Sequence, residues 1–83
     1  MSNGIVFSNH AKEMLKERNI SEVYVFRAIE EYDRIHIGDD GNTHCFKSII
    51  ENDKRVLHVI INKNVNPNKI VTLFYDRKAG RNI

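Results

Sequence analysis

The sequence has a single cysteine, no tryptophan and no long apolar run. The lone Cys45 cannot form an internal disulfide, which fits a reducing cytosol, and its expected role is that of a small buried hydrophobic residue. No stretch approaches the ~20 apolar residues that span a membrane, and the N-terminus lacks the basic start and apolar centre of a signal peptide. The four histidines also lack metal-ligand spacing. We therefore expect a cytoplasmic protein with no membrane association, metal or cofactor.

The length of 83 residues predicts a single domain, 1–83, with a thin core. An apolar content of 41% is ordinary for a globular protein. The net charge of +2 permits an anionic partner without requiring one. Three cations fall within residues 76–83, so this segment is a basic tail that can be flexible.

Helical spacing follows the first short apolar run of the chain. Ser8 and Asn9 can cap a helix, and Ser21 can cap a second helix directly after it. In the first helix one stripe combines Ala11, Met14, Leu15 and Arg18; in the second the stripe is Val25, Ala28, Ile29 and Tyr32. Arg18 is thus expected on the inward side, where its charge must find a carboxylate, carbonyl oxygens or an anionic ligand.

Alternating polar and apolar residues then predict strands. We expect a short edge strand at 5–7, followed after the helices by strands at 34–37, 43–51, 55–62 and 70–75. The predicted fold is α+β: a short N-terminal strand, and two helices packed on one face of an antiparallel sheet of about four strands. The alternation does not decide which face the helices cover, but His58 and Thr72 can share the other, open face.

Three motifs carry a resemblance to a known family. The chain contains S-x-H-A at residues 8–11, R-x-I-S at 18–21 and V-T-L-F-Y at 71–75. Nearly the whole chain thus resembles a family of small bacterial domains of unknown function, which typically show S-x-H-A, E-R-G-I-S and V-T-x-x-Y. Asn19 replaces the usual glycine and tolerates a left-handed backbone nearly as well, and Leu-Phe precedes Tyr75.

The order of elements also resembles toxin ribonucleases of the RelE and BrnT type. The tail D-R-K-A-G-R at 76–81 is similar to the A-R-K-A-x-R ending of BrnT-like toxins. This resemblance implies RNA cleavage without a metal, inhibition of growth within a toxin–antitoxin pair, and two partners: RNA and a neutralising antitoxin or immunity protein.

Metal-independent RNA cleavage needs a base for the 2′-hydroxyl, an acid for the leaving oxygen and cations for the phosphate. His10 at a helix N-terminus suits the neutral base, although it also suits a capping or packing histidine. Arg18 suits a phosphate clamp or a structural salt bridge to Asp33 or Asp76. Two helical turns separate His10 and Arg18 by ~12 Å along the axis, so strand residues must complete such a site.

The strands and the tail supply the remaining candidates. Thr72 can orient a phosphate, and Tyr75 can donate a proton or stack on a base, but a regular strand puts them on opposite faces. His58 is a second acid or base, or a histidine satisfied by its neighbours. His36 and His44 are expected to be solvated surface beside the turn at 38–42. The candidates for RNA binding, or for a merely solvated tail, are Arg77, Lys78 and Arg81.

The leading hypothesis is a metal-independent endoribonuclease of the toxin type that cleaves RNA through attack by the 2′-hydroxyl. The main alternative is a non-catalytic module of the same fold that binds protein or nucleic acid, in which His10 and Arg18 only brace the fold. A protective partner of another toxin is a third possibility, which a mildly basic chain suits poorly.

Overall fold

The chain forms an α+β domain in a computed structural model that describes the backbone of residues 4–81 and the side chains as far as Ala79. Its elements in chain order are β1 (Val6–Phe7), α1 (Asn9–Glu17), α2 (Glu22–Glu30), β2 (Arg34–Ile37), β3 (Thr43–Ile49), a 3₁₀ turn (Ile50–Asn52), β4 (Arg55–Asn62), β5 (Lys69–Tyr75) and α3 (Arg77–Arg81). No helix within residues 4–81 is long and apolar enough to cross a membrane.

The strands form one mixed sheet of five strands in the order β1-β5-β4-β3-β2. Strands β2 to β5 pair antiparallel, as the alternation predicts. The prediction of a wholly antiparallel sheet is wrong at its edge, where β1 pairs parallel with β5 and Ser8 donates its backbone N–H to the Ile70 carbonyl at 2.9 Å. Most of the chain runs between β1 and β5, which gives the long connection that parallel pairing requires.

The two predicted helix caps are confirmed. The Ser8 hydroxyl oxygen accepts the Ala11 N–H at 3.0 Å and donates to the Val71 carbonyl at 2.8 Å, so one side chain starts α1 and ties it to β5. The Ser21 hydroxyl accepts the Val23 N–H at 3.2 Å and starts α2. Asn19, in the joint between the helices, has the left-handed backbone expected there, with φ 52°.

The inward position predicted for Arg18 is wrong. Helical geometry ends at Glu17, and Arg18 is the exposed C-cap residue, so the stripe that begins at Ala11 does not extend to it. Neither predicted salt bridge forms, because Asp33 pairs with Lys47 and Asp76 pairs with His58. Tyr32 likewise lies beyond the end of α2 and is exposed.

The helices α1 and α2 cover the sheet face that carries Leu57, Val59 and Ile61. On this helix-covered face, side chains from both helices and from three strands form the main core. Its buried members are Ala11, Ile20, Val25, Ala28, Cys45, Ile49, Leu57, Val59, Ile61, Ile70 and Leu73. The register therefore leaves the alternate set of β4, which includes His58, on the opposite side.

That opposite side, the open face, is partly covered by α3. Ala79 of α3 is buried against Phe46 and Val56 and forms a second, smaller cluster with them. Asp76 joins α3 to the sheet, because its backbone N–H donates to the Val56 carbonyl at 2.8 Å. Of the segment predicted as a basic tail, residues 77–81 are thus helical, and residues 82 and 83 lie outside the described residues.

Candidate acid–base site on the open face

Three strands bring three histidines together on the open face. The register pairs His36 of β2 with His44 of β3, and Phe46, two residues further along β3, with His58 of β4. The rings of His36 and His44 stack with centroids 5.1 Å apart, and those of His44 and His58 lie 5.0 Å apart. We call these histidines, together with Asp76, the histidine array.

A chain of hydrogen bonds runs through the array. His58 Nδ1 lies 2.9 Å from Asp76 Oδ2, and His58 Nε2 lies 2.8 Å from His44 Nδ1. His44 Nε2, the outermost nitrogen of the chain, lies 3.3 Å from both carboxylate oxygens of Asp40, a longer contact. The two short bonds fix both imidazole rings, and the last nitrogen is the least firmly held.

The proton positions follow from these partners. A carboxylate only accepts, so His58 Nδ1 carries a proton toward Asp76. In a neutral His58, Nε2 then accepts the hydrogen bond that the His44 Nδ1–H donates, and a neutral His44 has its lone pair on Nε2. A hydrogen bond from His44 Nε2 to Asp40 requires one further proton on the pair. With both rings neutral, the outer nitrogen is therefore a base whose orientation is set by His58 and Asp76.

Burial and charge around His58 favour its neutral form. His58 is only 8% exposed, and this burial lowers its pKa against the opposing effect of Asp76, while His44 lowers it further. Burial also acts on Asp76, in the direction of a higher pKa, but hydrogen bonds from the Ala79 N–H and from His58 outweigh it and lower the pKa of that carboxyl. Asp76 is thus an anion that holds a neutral His58.

Local backbone features position the ends of the array. Asp76 Oδ1 accepts the Ala79 N–H at 3.0 Å, so the turn into α3 orients its other oxygen toward His58. At the far end, a Cβ on Gly38 would lie 2.6 Å from His44 Nε2 and 2.8 Å from Asp40 Oδ1. Glycine at 38 therefore leaves the space in which the outer nitrogen meets its partner.

Arg34 brings a positive charge to the same face. Arg34 and His36 alternate to one side of β2, and the Arg34 guanidinium lies 4.5 Å from the centroid of the Phe46 ring. The Phe46 ring in turn lies 4.1 Å from the His58 ring. Arg34 and His36 are both exposed, so the site combines a cation, an accessible imidazole and a buried, oriented imidazole pair.

Of the three candidate site residues predicted on the strands, only His58 belongs to the array. His58 is at its centre, and Thr72, which pairs with Ile60, is half-buried on the same face. Tyr75 pairs with Leu57 and so faces the helix-covered side, where its hydroxyl accepts a hydrogen bond from Asn52 Nδ2 at 2.7 Å. Thr72 and Tyr75 do lie on opposite faces.

The two predicted helix residues are separate from the array. His10, in the first turn of α1, and Arg18, at the end of α1, are both exposed and belong to the layer on the other side of the sheet. Arg77 and Lys78 are exposed on α3, beside the open face. The side chain of Arg81 lies outside the described residues.

The interpretation as solvated surface is wrong for His44, whereas His36 is exposed as expected. His44 is mostly buried, with 13% of its side chain exposed, and it links His58 to the surface of the open face. The signal was present in the sequence: the turn at 38–42 pairs residue 36 with residue 44, and alternation puts residue 46 on the same side. Asp76 was missed as a partner of His58 because it follows the last strand and its contact depends on the turn into α3.

Within residues 4–79, no group of three histidine, cysteine, aspartate or glutamate side chains is placed to hold a metal ion. The longest hydrogen-bonded series of titratable groups instead runs from Asp40 through the imidazole pair to Asp76. This arrangement can take up and release protons.

The profile of one protein family matches residues 7–75 of the chain, from β1 to the last residue of β5. The chain belongs to the DUF4258 family, described as a domain of unknown function. The DUF4258 match includes the three histidines of the array and ends just before Asp76 and α3. No curated protein and no solved structure matches this DUF4258 chain.

Proposed function

We propose that this DUF4258 domain is a metal-independent endoribonuclease of the toxin type, with its reaction centre on the open face. The observation that carries the proposal is the hydrogen-bonded series Asp76–His58–His44. Its outer nitrogen, His44 Nε2, lies 3.3 Å from the Asp40 carboxylate and is a base when both rings are neutral. A base that is oriented by a second group, itself oriented by a third, is the arrangement by which proteins activate a hydroxyl.

In this reaction His44 Nε2 takes the proton of an RNA 2′-hydroxyl. The 2′-oxygen forms a bond to phosphorus, and the bond from phosphorus to the 5′-oxygen of the next nucleotide breaks. His36, in its imidazolium form, gives a proton to that leaving oxygen, so the products are a 2′,3′-cyclic phosphate and a 5′-hydroxyl. The stacking of His36 on His44 supports these paired roles, because acid and base must reach the same phosphodiester.

Arg34 is suited to stabilise the charge that develops on the phosphate. Its guanidinium lies over Phe46, on the face that carries both imidazoles, and its fork of donors fits phosphate oxygens. The resemblance to RelE-like and BrnT-like toxins supports RNA as the substrate and an antitoxin or immunity protein as the neutralising partner. The assignment of base and clamp differs from that expected from sequence, because His10 and Arg18 lie in the helical layer.

The test compares purified wild type, His44→Ala and His10→Ala on structured RNA in the presence of EDTA. Wild type is expected to release products that end in 2′,3′-cyclic phosphate. His44→Ala is expected to lower the cleavage rate about 10²- to 10⁴-fold, which is the usual contribution of general acid–base catalysis. Circular dichroism and thermal unfolding establish that both variants are folded.

Loss of cleavage in His10→Ala with retention in His44→Ala would instead assign the base to α1. No cleavage by the wild type, together with RNA binding, would favour the non-catalytic binding module of the same fold. Co-expression with the protein encoded by the neighbouring reading frame tests the partner, which is expected to relieve growth inhibition.

A further inference from the structure

A small cavity lies where β4, β5 and α3 meet. It has a volume of about 190 Å³ and is lined by Arg55, Val56, Tyr75, Asp76 and Arg77. Ligand pockets for complete small molecules begin at about 300 Å³, so this cavity suits one group of a larger ligand. Its mostly apolar walls carry two cations, one carboxylate, an aromatic ring and an aliphatic side chain, so they suit an anion attached to a partly apolar chain.

The two arginines are available to such an anion. The ion pairs among the described side chains join Arg27 to Glu51, Lys47 to Asp33, and histidines to Asp40 and Asp76, so none of them uses Arg55 or Arg77. The Arg55 guanidinium lies 4.3 Å from the centroid of the Tyr75 ring, which orients it without neutralising it.

The carboxylate in the cavity wall is already engaged by other donors. Asp76 Oδ2 receives the His58 Nδ1 proton at 2.9 Å, and Oδ1 receives the Ala79 N–H at 3.0 Å. Each oxygen therefore has a donor, on the side of His58 or of α3. The two guanidinium groups outnumber the single carboxylate and give the largely apolar cavity a net positive charge.

We propose that this cavity binds a phosphate group of the RNA strand. Asp76 belongs both to the cavity and to one end of the histidine array, while His44 and His36 lie at the other end. A phosphate held by Arg55 and Arg77 is thus that of a neighbouring nucleotide and fixes the register of the strand over the array. The identity of the ligand rests on the proposed function, but its binding does not require cleavage.

The experiment measures binding of a short 2′-O-methyl RNA, which keeps every phosphate and cannot be cleaved by 2′-hydroxyl attack. Fluorescence anisotropy is recorded for wild type, Arg55→Gln, Arg77→Gln and the charge-matched control Lys63→Gln. Lys63 is exposed and follows the last residue of β4, whereas Arg55 is the first, so the control lies about 25 Å away along the strand.

Each arginine variant is expected to bind the RNA about tenfold more weakly than wild type, because it loses one charge-assisted hydrogen bond. The slope of log affinity against log salt is expected to fall by about 0.7, the value for one phosphate on a single strand. Lys63→Gln is expected to match wild type. Arg77 lies outside the sheet, so its variant tests the site even if Arg55→Gln disturbs the packing of Tyr75.

Equal affinity of the arginine variants and the control overturns the phosphate site, and so does failure of wild type to bind the RNA. Cleavage of unmodified RNA is measured separately. Wild-type cleavage with unchanged binding in both arginine variants overturns this site and leaves the proposed function standing. Binding that depends on both arginines without any cleavage supports the site and overturns the proposed function.

Discussion

The two faces of β4 are neighbours in sequence and opposite in character. Leu57, Val59 and Ile61 point toward the helices and are essentially inaccessible to solvent, in a core of aliphatic side chains. The alternate set includes His58, which lies among the rings of His44, Phe46 and Phe74 on the open face. Apolar packing holds the fold together on one side, while the other side arranges titratable groups.

This division has a physical reason. A buried imidazole is costly unless its nitrogens have partners, and both nitrogens of His58 are hydrogen-bonded. The open face supplies those partners from β3 and from the turn into α3, whereas the helix-covered face supplies mainly carbon atoms. The short α3 therefore matters beyond its length, because it covers part of the open face and anchors Asp76.

The largest expected effect is a loss of stability that differs between substitutions at two adjacent residues. Ile61→Ala leaves a cavity in the helix-covered core and is expected to lower the free energy of unfolding by about 2–5 kcal/mol. Ile60→Ala removes the same atoms from a half-buried position on the open face and is expected to lower it by about 1 kcal/mol. Urea unfolding of both variants measures the difference. Similar losses for the two would contradict the division of roles between the faces.

Local signals in the sequence predict much of the fold that separates these two faces. Ser8, Ser21 and Asn19 predict the helix caps and the joint, because each acts through the backbone within a few residues. The strands at 34–37 and 55–62 have the predicted bounds. Parallel pairing of β1 and the docking of α3 depend on contacts between distant parts of the chain, and no local pattern encodes them.

The site was harder to predict than the fold. His10 is a candidate because of its position at the start of α1. Arg18 is a candidate because helical periodicity places it on the inward side if α1 continues for one more residue. The actual end at Glu17 removes that argument. His44 was within reach of register reasoning from the hairpin, but its bond to His58 depends on ring orientation across two strands, which alternation alone does not give.

A smaller effect concerns the titration of the open face. The pKa of His58 is lowered below 6.5 by burial, so the unfolded chain binds its proton more readily than the folded chain. The resulting penalty is absent well above pH 6.5 and grows as the pH falls through 6.5 toward the folded value. Wild type is therefore expected to lose stability on acidification from pH 8 to 5.5, and His58→Gln is expected to lose less.

Thermal unfolding of wild type and His58→Gln at both pH values measures this contribution. At pH 8 the variant is expected to be less stable by about 1–3 kcal/mol, because Asp76 and His44 lose a well-placed partner. Parallel pH profiles of the two proteins would show that His58 titrates equally in the folded and unfolded chain. The description of His58 as a buried imidazole held in its neutral form would then fail.

The smallest expected effect is at the rim of the helix-covered face, where an exposed ion pair contrasts with the half-buried pair of His58 and Asp76. Arg27 of α2 donates to both carboxylate oxygens of Glu51 at 2.8 and 2.9 Å, which lowers the pKa of Glu51 from 4.5 to about 2. The stabilising contribution is complete above pH 4.5 and is lost as the pH falls from 4.5 toward 2.

Glu51→Gln is expected to be slightly less stable than wild type at pH 7. The loss is expected to be smaller than that of His58→Gln at pH 8, and to shrink at pH 3. Thermal unfolding at the two pH values measures it, and 1 M salt at pH 7 should reduce the difference because the pair is exposed to solvent. A loss at pH 7 as large as that of His58→Gln at pH 8 would mean that this rim contact, and not only the apolar core, holds α2 on the sheet.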